Sequence, residues 1–234
     1  MTQIRSCRLK YYFSTISQIV IKDLKIELRT KETIVPTFVF ALISICVFHI
    51  SLSFGLNSYQ KVSIGIWILT ILYSSILIMN RSFSREIESE SLSAILTSPI
   101  HHDALYFGKL SYNVIILGLV QVILSPIFYI LFEVNVYSYE MLLIFGLGTI
   151  GICSVGTTFS IMTAFNTIRD VLMPLLLIPI QIPLIIAIVE STNILFGFNI
   201  GNSSELINWI LLLVSFDAIF LVVSPIAFCI IVKN

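Results

Sequence analysis

"LSYNVIILGLVQVILSPIFYILF", residues 110–132, holds 23 residues without an acid, a lysine, an arginine or a histidine. About twenty apolar residues wound as a helix cross the roughly 30 Å hydrocarbon core of a bilayer. A strand of a membrane β-barrel would alternate apolar and polar residues, and this run does not. Peptide groups in lipid must bond within their own segment, so the run reads as a transmembrane helix. Five further runs are similarly apolar, two of them interrupted once by His49 or Asp217: Ile34–Phe54, Val62–Met79, Met141–Phe165, Val171–Val189 and Leu206–Val232. The expected fold is therefore all-α, a polytopic membrane protein with six transmembrane helices.

Composition agrees. Of 234 residues, 57% are hydrophobic and 11% charged, where a soluble domain carries about 25% charged residues. Mean hydropathy is +1.01. The formal net charge is zero, which suggests no nucleic-acid partner. Four cysteines, Cys7, Cys46, Cys153 and Cys229, show no metal or redox spacing and read as small packing residues.

Where the charges sit is more informative than their sum. Arg5, Arg8, Lys10, Lys22, Lys25, Arg29 and Lys31 precede the first run; Arg81, Arg85 and Lys109 follow the second; Arg169 follows the fourth and Lys233 the last. Twelve of the thirteen basic residues thus share one side, with Lys61 alone opposite. The positive-inside rule makes that side cytoplasmic, together with both termini. Residues 1–33 form a cytoplasmic N-terminal region and residues 34–232 the six-helix membrane domain. Over residues 16–32, Ile16, Ile19, Val20, Leu24 and Leu28 recur at helical spacing with Lys22, Lys25 and Arg29 between them. This segment is expected to lie as an amphipathic helix in the interface, its cations near anionic headgroups of the lipid bilayer. No continuous apolar stretch precedes a small-residue cleavage site, so the first 33 residues do not read as a secretory leader. Residues 1–22 contain no acid and several of Arg, Lys and Ser, a weak likeness to an organellar transit segment. A cell inner membrane is the expected location, an organellar inner membrane the alternative.

Within the spans, Gly156, Ser160 and Ala164, and likewise Thr149, Cys153 and Thr157, recur every four residues. Small residues at that spacing let helices approach closely. Pro174, Pro179 and Pro183 interrupt the fifth span with Gln181 between them, and each proline removes a backbone donor. Asp217 in the sixth span, His49 in the first and Gln181 in the fifth are polar groups in apolar surroundings. Ionisable groups placed so are costly and are functional candidates by default.

Catalytic and nucleotide motifs are missing. Gly108-Lys109 is followed by Leu110, and Asp103 stands where a P-loop would need its first glycine. His101-His102 is not a zinc motif; a polar turn is the simpler reading, a metal or haem contact the other. The remaining anomaly is "SREIESESLSAILTSPIHHDALYFGKL", residues 84–110. Glu86, Glu88 and Glu90 suit a helix N-terminus. Leu92, Ile95 and Leu96 make an apolar edge, and Ser98-Pro99 ends that helix and can cap the next. A short amphipathic helix tied to two spans can transmit force from a cytoplasmic partner.

That pattern resembles the cytoplasmic coupling element of type-2 ABC-exporter permeases, with Arg85, Glu86, Glu88, Glu90, Leu92, Ile95, Leu96 and Pro99 as the ATPase-coupling residues within a segment spanning 82–104. The likeness to the haem exporter B (CcmB) family is wider. "KDLKIELRTKE" (22–32), "NRSFSREIESESLSAILTSPIHHDALYFGKL" (80–110), "RDVLMPLLLIPIQIPLIIAIVE" (169–190) and "WILLLVSFDAIFLVV" (209–223) resemble its segments. The family usually has a glycine after the acidic cluster, and here Glu90-Ser91 replaces it. The resemblance implies a transport subunit of cytochrome c maturation rather than an enzyme. It implies a homodimer, a separate ABC ATPase subunit (CcmA-like) that binds the ATP, and a haem-handling membrane subunit (CcmC-like). Haem is the possible cargo, either exported or handed on by ATP-driven release of a haem-loaded chaperone. A type-2 permease for a drug, lipid or polysaccharide, an integral-membrane enzyme and a structural scaffold are the alternatives. The short loops at 55–61, 133–140 and 190–205 leave no room for an external domain.

Overall fold

The computed structural model describes residues 2–53, 59–88, 102–164, 168–197 and 203–233. These form seven helices: α1 (Thr2–Thr30), α2 (Ile34–Ser53), α3 (Tyr59–Glu88), α4 (His102–Phe132), α5 (Tyr139–Ala164), α6 (Arg169–Leu195) and α7 (Ser203–Lys233). Six of them, α2 to α7, contain stretches long and apolar enough to cross a membrane. The chain is a multi-pass membrane protein. The spans match the apolar runs of the sequence, but α6 runs on past Val189 to Leu195, and three helices outrun their expected segments at the basic end. At about 1.5 Å per residue, α3 and α4 are each roughly 45 Å long, well over the hydrocarbon thickness. The excess lies at the basic end of the bundle, where α3 continues from Phe83 to Glu88 and α4 begins at His102 instead of Leu110. The third is α1, which starts at Thr2 and extends the amphipathic segment expected over 16–32.

The centre of the bundle is α5, which packs against α3, α4, α6 and α7. Its sequence explains why. Gly148, Gly151 and Gly156 leave gaps that neighbours fill: a Cβ on Gly148 would lie 2.5 Å from Ile188 Cδ1, one on Gly151 2.7 Å from Leu184 Cδ1, and one on Gly156 inside contact distance of Met79 Sδ. These contacts bring α6 and α3 close to α5, and of the three glycines Gly156 belongs to the four-residue series of small side chains read from the sequence. Ser160 Oγ donates to the Met79 carbonyl at 2.5 Å, tying α5 to α3. Aromatic rings fill the two ends of the core. Phe83, Tyr106 and Phe228 pack at the basic end, with centroids 5.7 and 6.0 Å apart. Trp67, Phe128 and Phe132 pack toward the far end, each neighbouring pair 4.8 Å apart. His49 belongs to that second group, its ring edge-on to Phe132 at 5.2 Å.

The proline-rich span remains one helix. α6 carries Pro174, Pro179 and Pro183 internally and runs unbroken to Leu195. α4 accommodates Pro126 by substitution of donors: the Val122 carbonyl, which a proline at 126 cannot serve, accepts the Ser125 hydroxyl at 2.9 Å.

Gly156→Ala should lower the midpoint of thermal unfolding in detergent, with a loss of about 1–3 kcal/mol from overpacking against the buried Met79. Gly65→Ala, where an added Cβ meets nothing within 4 Å, should leave the midpoint unchanged or raise it, since alanine is the better helix former.

Candidate functional site

The junction between α1 and α2 begins with a problem of unsatisfied donors. The first peptide N–H groups of any helix lack partners within it, and α2 starts where the chain enters the membrane. Thr33 N and Ile34 N both donate to Glu27 Oε1 at 2.8 Å. Val35 N donates to the Lys31 carbonyl at 3.2 Å, and Pro36 has no N–H to place. A carboxylate at this position also meets the positive end of the α2 dipole. To bring Glu27 there the chain reverses within three residues, and Lys31 takes a left-handed conformation (φ 56°) as the terminus of α1. Glu27 is fully buried, and its second oxygen accepts the Tyr112 hydroxyl of α4 at 3.3 Å.

One turn earlier on the same face of α1 lies Asp23, also buried. Its Oδ2 is 2.9 Å from Lys109 Nζ, whose side chain is 3% exposed. Lys109 Nζ also donates to the Ser82 carbonyl at 3.0 Å and lies 5.2 Å from the centre of the Phe83 ring. One ammonium thus joins three helices: α1 through Asp23, α3 through Ser82 and Phe83, and α4, which carries it. Ile19 of α1 lies against Gly108, where a Cβ would be 2.9 Å from Ile19 Cγ2. Nearby, the Cys229 thiol of α7 donates to Asp103 Oδ1 of α4 at 2.7 Å. Burial, with Asp103 and Cys229 close by, raises the Tyr12 phenol above its ordinary pKa.

This arrangement shows which face of the amphipathic segment meets the bundle, with Lys22, Lys25 and Arg29 exposed on the others. The face of α1 turned to the bundle carries Thr15, Asp23 and Glu27, with Ile19 and Leu24 partly buried beside them. Leu28 is 64% exposed, with Phe13 and Ile21 also outward. The acids win the inward face because a cation, a hydroxyl and two peptide N–H groups wait there. The expected helix start at the acidic cluster is corrected: Arg85, Glu86 and Glu88 lie in the last turns of α3 rather than opening a helix of their own. Glu90, Leu92, Ile95, Leu96, Pro99 and His101 fall outside the described residues.

The family model described as the CcmB protein matches residues 14–234. The chain belongs to the CcmB family. It is accordingly an ABC-transporter permease subunit of the haem-export and cytochrome c biogenesis class, a transport component rather than an enzyme. A comparison with curated proteins returned no match. The matched region includes every residue of the α1–α2 junction and begins one residue before Thr15.

In this CcmB-family chain the intramembrane polar candidates divide. Gln181 and Asp217 converge on one stretch of α5: the Gln181 amide donates to the Ile152 carbonyl at 3.3 Å, and Asp217 Oδ1 would lie 2.5 Å from a Cβ on Gly151. Both are buried, and Gln181 Oε1 and both Asp217 oxygens have no hydrogen-bond partner among the described residues. His49 stays apart at the far end. The α1–α4 cluster was not singled out from sequence. The usable signal was Asp23 and Glu27 at i and i+4 among Lys22, Lys25, Arg29 and Lys31, a pair that shares one helix face.

Lys109→Met should be destabilising, by about 3 kcal/mol, because it leaves the buried Asp23 with only half-exposed Lys22, 3.2 Å from Oδ1, as its cation. Asp23→Asn combined with Lys109→Met should recover most of that loss. Unfolding midpoints of the two single variants and the double variant in detergent measure the coupling.

Proposed function

We propose that the chain is the membrane subunit on which a separate CcmA-like ATPase acts at residues 86–100, with ATP bound and hydrolysed on that partner. Twelve of thirteen basic residues on one side support a cytoplasmic location for both termini and for this segment, in a cell inner membrane. The family supports association with a CcmC-like haem-handling subunit and operation as a homodimer. The work done is ATP-driven haem export or release of a haem-loaded chaperone during cytochrome c maturation.

The observation that carries this reading is the single ammonium at the base of α4. The proposed docking segment leaves α3 at Glu88 and returns at His102. Both of those helices, and α1 with them, are held by Lys109. Displacement of the segment by a partner is therefore shared by three helices at once, and α1 passes it to α2 through Glu27. A packed ion-pair network with discrete partners is the kind of element that carries coupling between distant sites.

Replacing Leu92, Ile95 and Leu96 together by aspartate should abolish co-purification of the ATPase with the membrane subunit while the subunit still inserts and folds. Undiminished ATPase retention would refute docking at this segment.

A further inference from the structure

Asp217 lies in the middle of the sixth span. Fourteen residues of α7 precede it and sixteen follow it, so about 21 Å and about 24 Å of helix separate it from the two ends. The residue is 5% exposed. Room for its side chain is made on the facing helix. A Cβ on Gly151 of α5 would stand 2.5 Å from Asp217 Oδ1 and 2.7 Å from Leu184 Cδ1 of α6. Gln181, one turn before Leu184, meets the next residue of α5, donating its amide to the Ile152 carbonyl. Three helices that pack on one another thus converge at Gly151 and Ile152.

The junction is rich in acceptors. Both Asp217 oxygens and Gln181 Oε1 are buried and have no hydrogen-bond partner among the described residues. The Ser154 hydroxyl, three residues along α5, donates to the Gly151 carbonyl at 2.9 Å. No cation balances the carboxyl. The elements packed on α7 are α4, α5 and α6. Residues 110–132, 141–164 and 171–189 of these helices contain no lysine, arginine, histidine or acid, and their titratable groups are Tyr112, Tyr129 and Cys153. Toward the basic end of α4, Tyr106 donates to the Ser154 carbonyl, and Lys109 is held by Asp23 and the Ser82 carbonyl. Glu140 of α5, Arg169, Asp170 and Glu190 of α6, and Glu205 and Lys233 of α7 lie more than two turns away along their helices.

We propose that Asp217 is a buried proton-binding site at the α5–α6–α7 junction, neutral while α7 is closed on α5 and releasing its proton when the junction opens to water. A bare carboxylate buried in a membrane span without a partner is costly. One proton removes the charge and supplies the donor that the junction lacks. A metal ion fits less well. Hard cations gather about six oxygens or more, and Asp217 and Gln181 together offer three without a partner, while the Gly151 and Ile152 carbonyls already accept bonds. Closure of α7 on α5 therefore takes up a proton, and a conformational step that parts them gives it back.

The test reads the carboxyl directly. The full-length chain is reconstituted in ether-linked phosphatidylcholine, which has no ester carbonyl, and its infrared absorption is recorded at neutral pH. The carbonyl stretch of a protonated carboxyl is resolved from the amide and carboxylate bands. The chain should show such a band, shifted when its aspartates carry a ¹³C side-chain carboxyl and missing from Asp217→Asn. If Asp217→Asn does not fold, Asp217→Glu serves instead: under the same labelling its band should keep the unlabelled position. Exchange of sodium and potassium for choline should leave the band unchanged. The folded chain also carries a proton that the unfolded chain lacks, so its unfolding midpoint in detergent should fall as the pH is raised from mildly acidic to neutral. The midpoint of Asp217→Asn, or of Asp217→Gln as a second neutral variant, should fall less. Absence of a protonated-carboxyl band from Asp217, or its appearance only after sodium and potassium are withdrawn, would overturn the assignment. Equal pH slopes for the chain and its neutral variant would overturn the link between the proton and closure.

Discussion

Peptide N–H groups at the start of a membrane span have to be bonded before the span can rest in hydrocarbon, and much of this structure follows from how α2 meets that demand. Its donors are met by a carboxylate from the preceding helix, not by a local serine or aspartate cap. Glu27 reaches them only because Lys31 turns the chain in a left-handed conformation. Once Glu27 faces inward, Asp23 one turn earlier faces inward too, and a buried carboxylate requires a cation. Lys109 supplies it from within the bundle, with Lys22 on the other oxygen, and in doing so Lys109 ties α3 and α4 to α1. A requirement for two hydrogen bonds at one helix start thus organises four helices.

Away from this junction the bundle is held by close approach rather than by charge. α5 offers glycine, serine and threonine on several sides, and its hydroxyls bridge outward: Thr157 receives the Asn113 amide at 3.0 Å and Thr149 the Gln121 amide. Such bonds replace the hydrophobic driving force that helices lose in lipid. The Tyr106 hydroxyl donates to the Ser154 carbonyl at 3.0 Å in the same manner. α4 therefore meets α5 through a ladder of polar contacts, beside a groove that Gly118 and Gly146 help to line.

The membrane architecture was legible because a long apolar run is a one-dimensional property that no tertiary contact needs to complete. The helix ends were less so. Leu110 looked like the start of the third span because Asp103 and Lys109 precede it, but both are neutralised or bonded by partners distant in sequence and sit inside the helix. Asp217 and Gln181 stood out as polar residues in apolar runs and proved to share one surface of α5. His49 stood out equally and proved to be an aromatic contact. Asp23 and Glu27 were hidden for the opposite reason: in a basic, amphipathic segment an acid looks like ordinary surface, and only the position of Lys109 and the α2 start reveals their role.

The partners of the α1 acids lie unevenly along the chain. Glu27 can cap α2 as soon as the first span forms, but the tyrosine it meets on α4 is 85 residues further on. Until the third span has been synthesised, Asp23 has only its neighbour Lys22 and Glu27 only the α2 peptide groups, and the inward face of α1 has no α4 to pack on. Docking of α1 is then a late step of assembly, and a chain that stalls or inserts its third span wrongly displays an undocked N-terminal helix, open to proteases as a mark of incomplete folding.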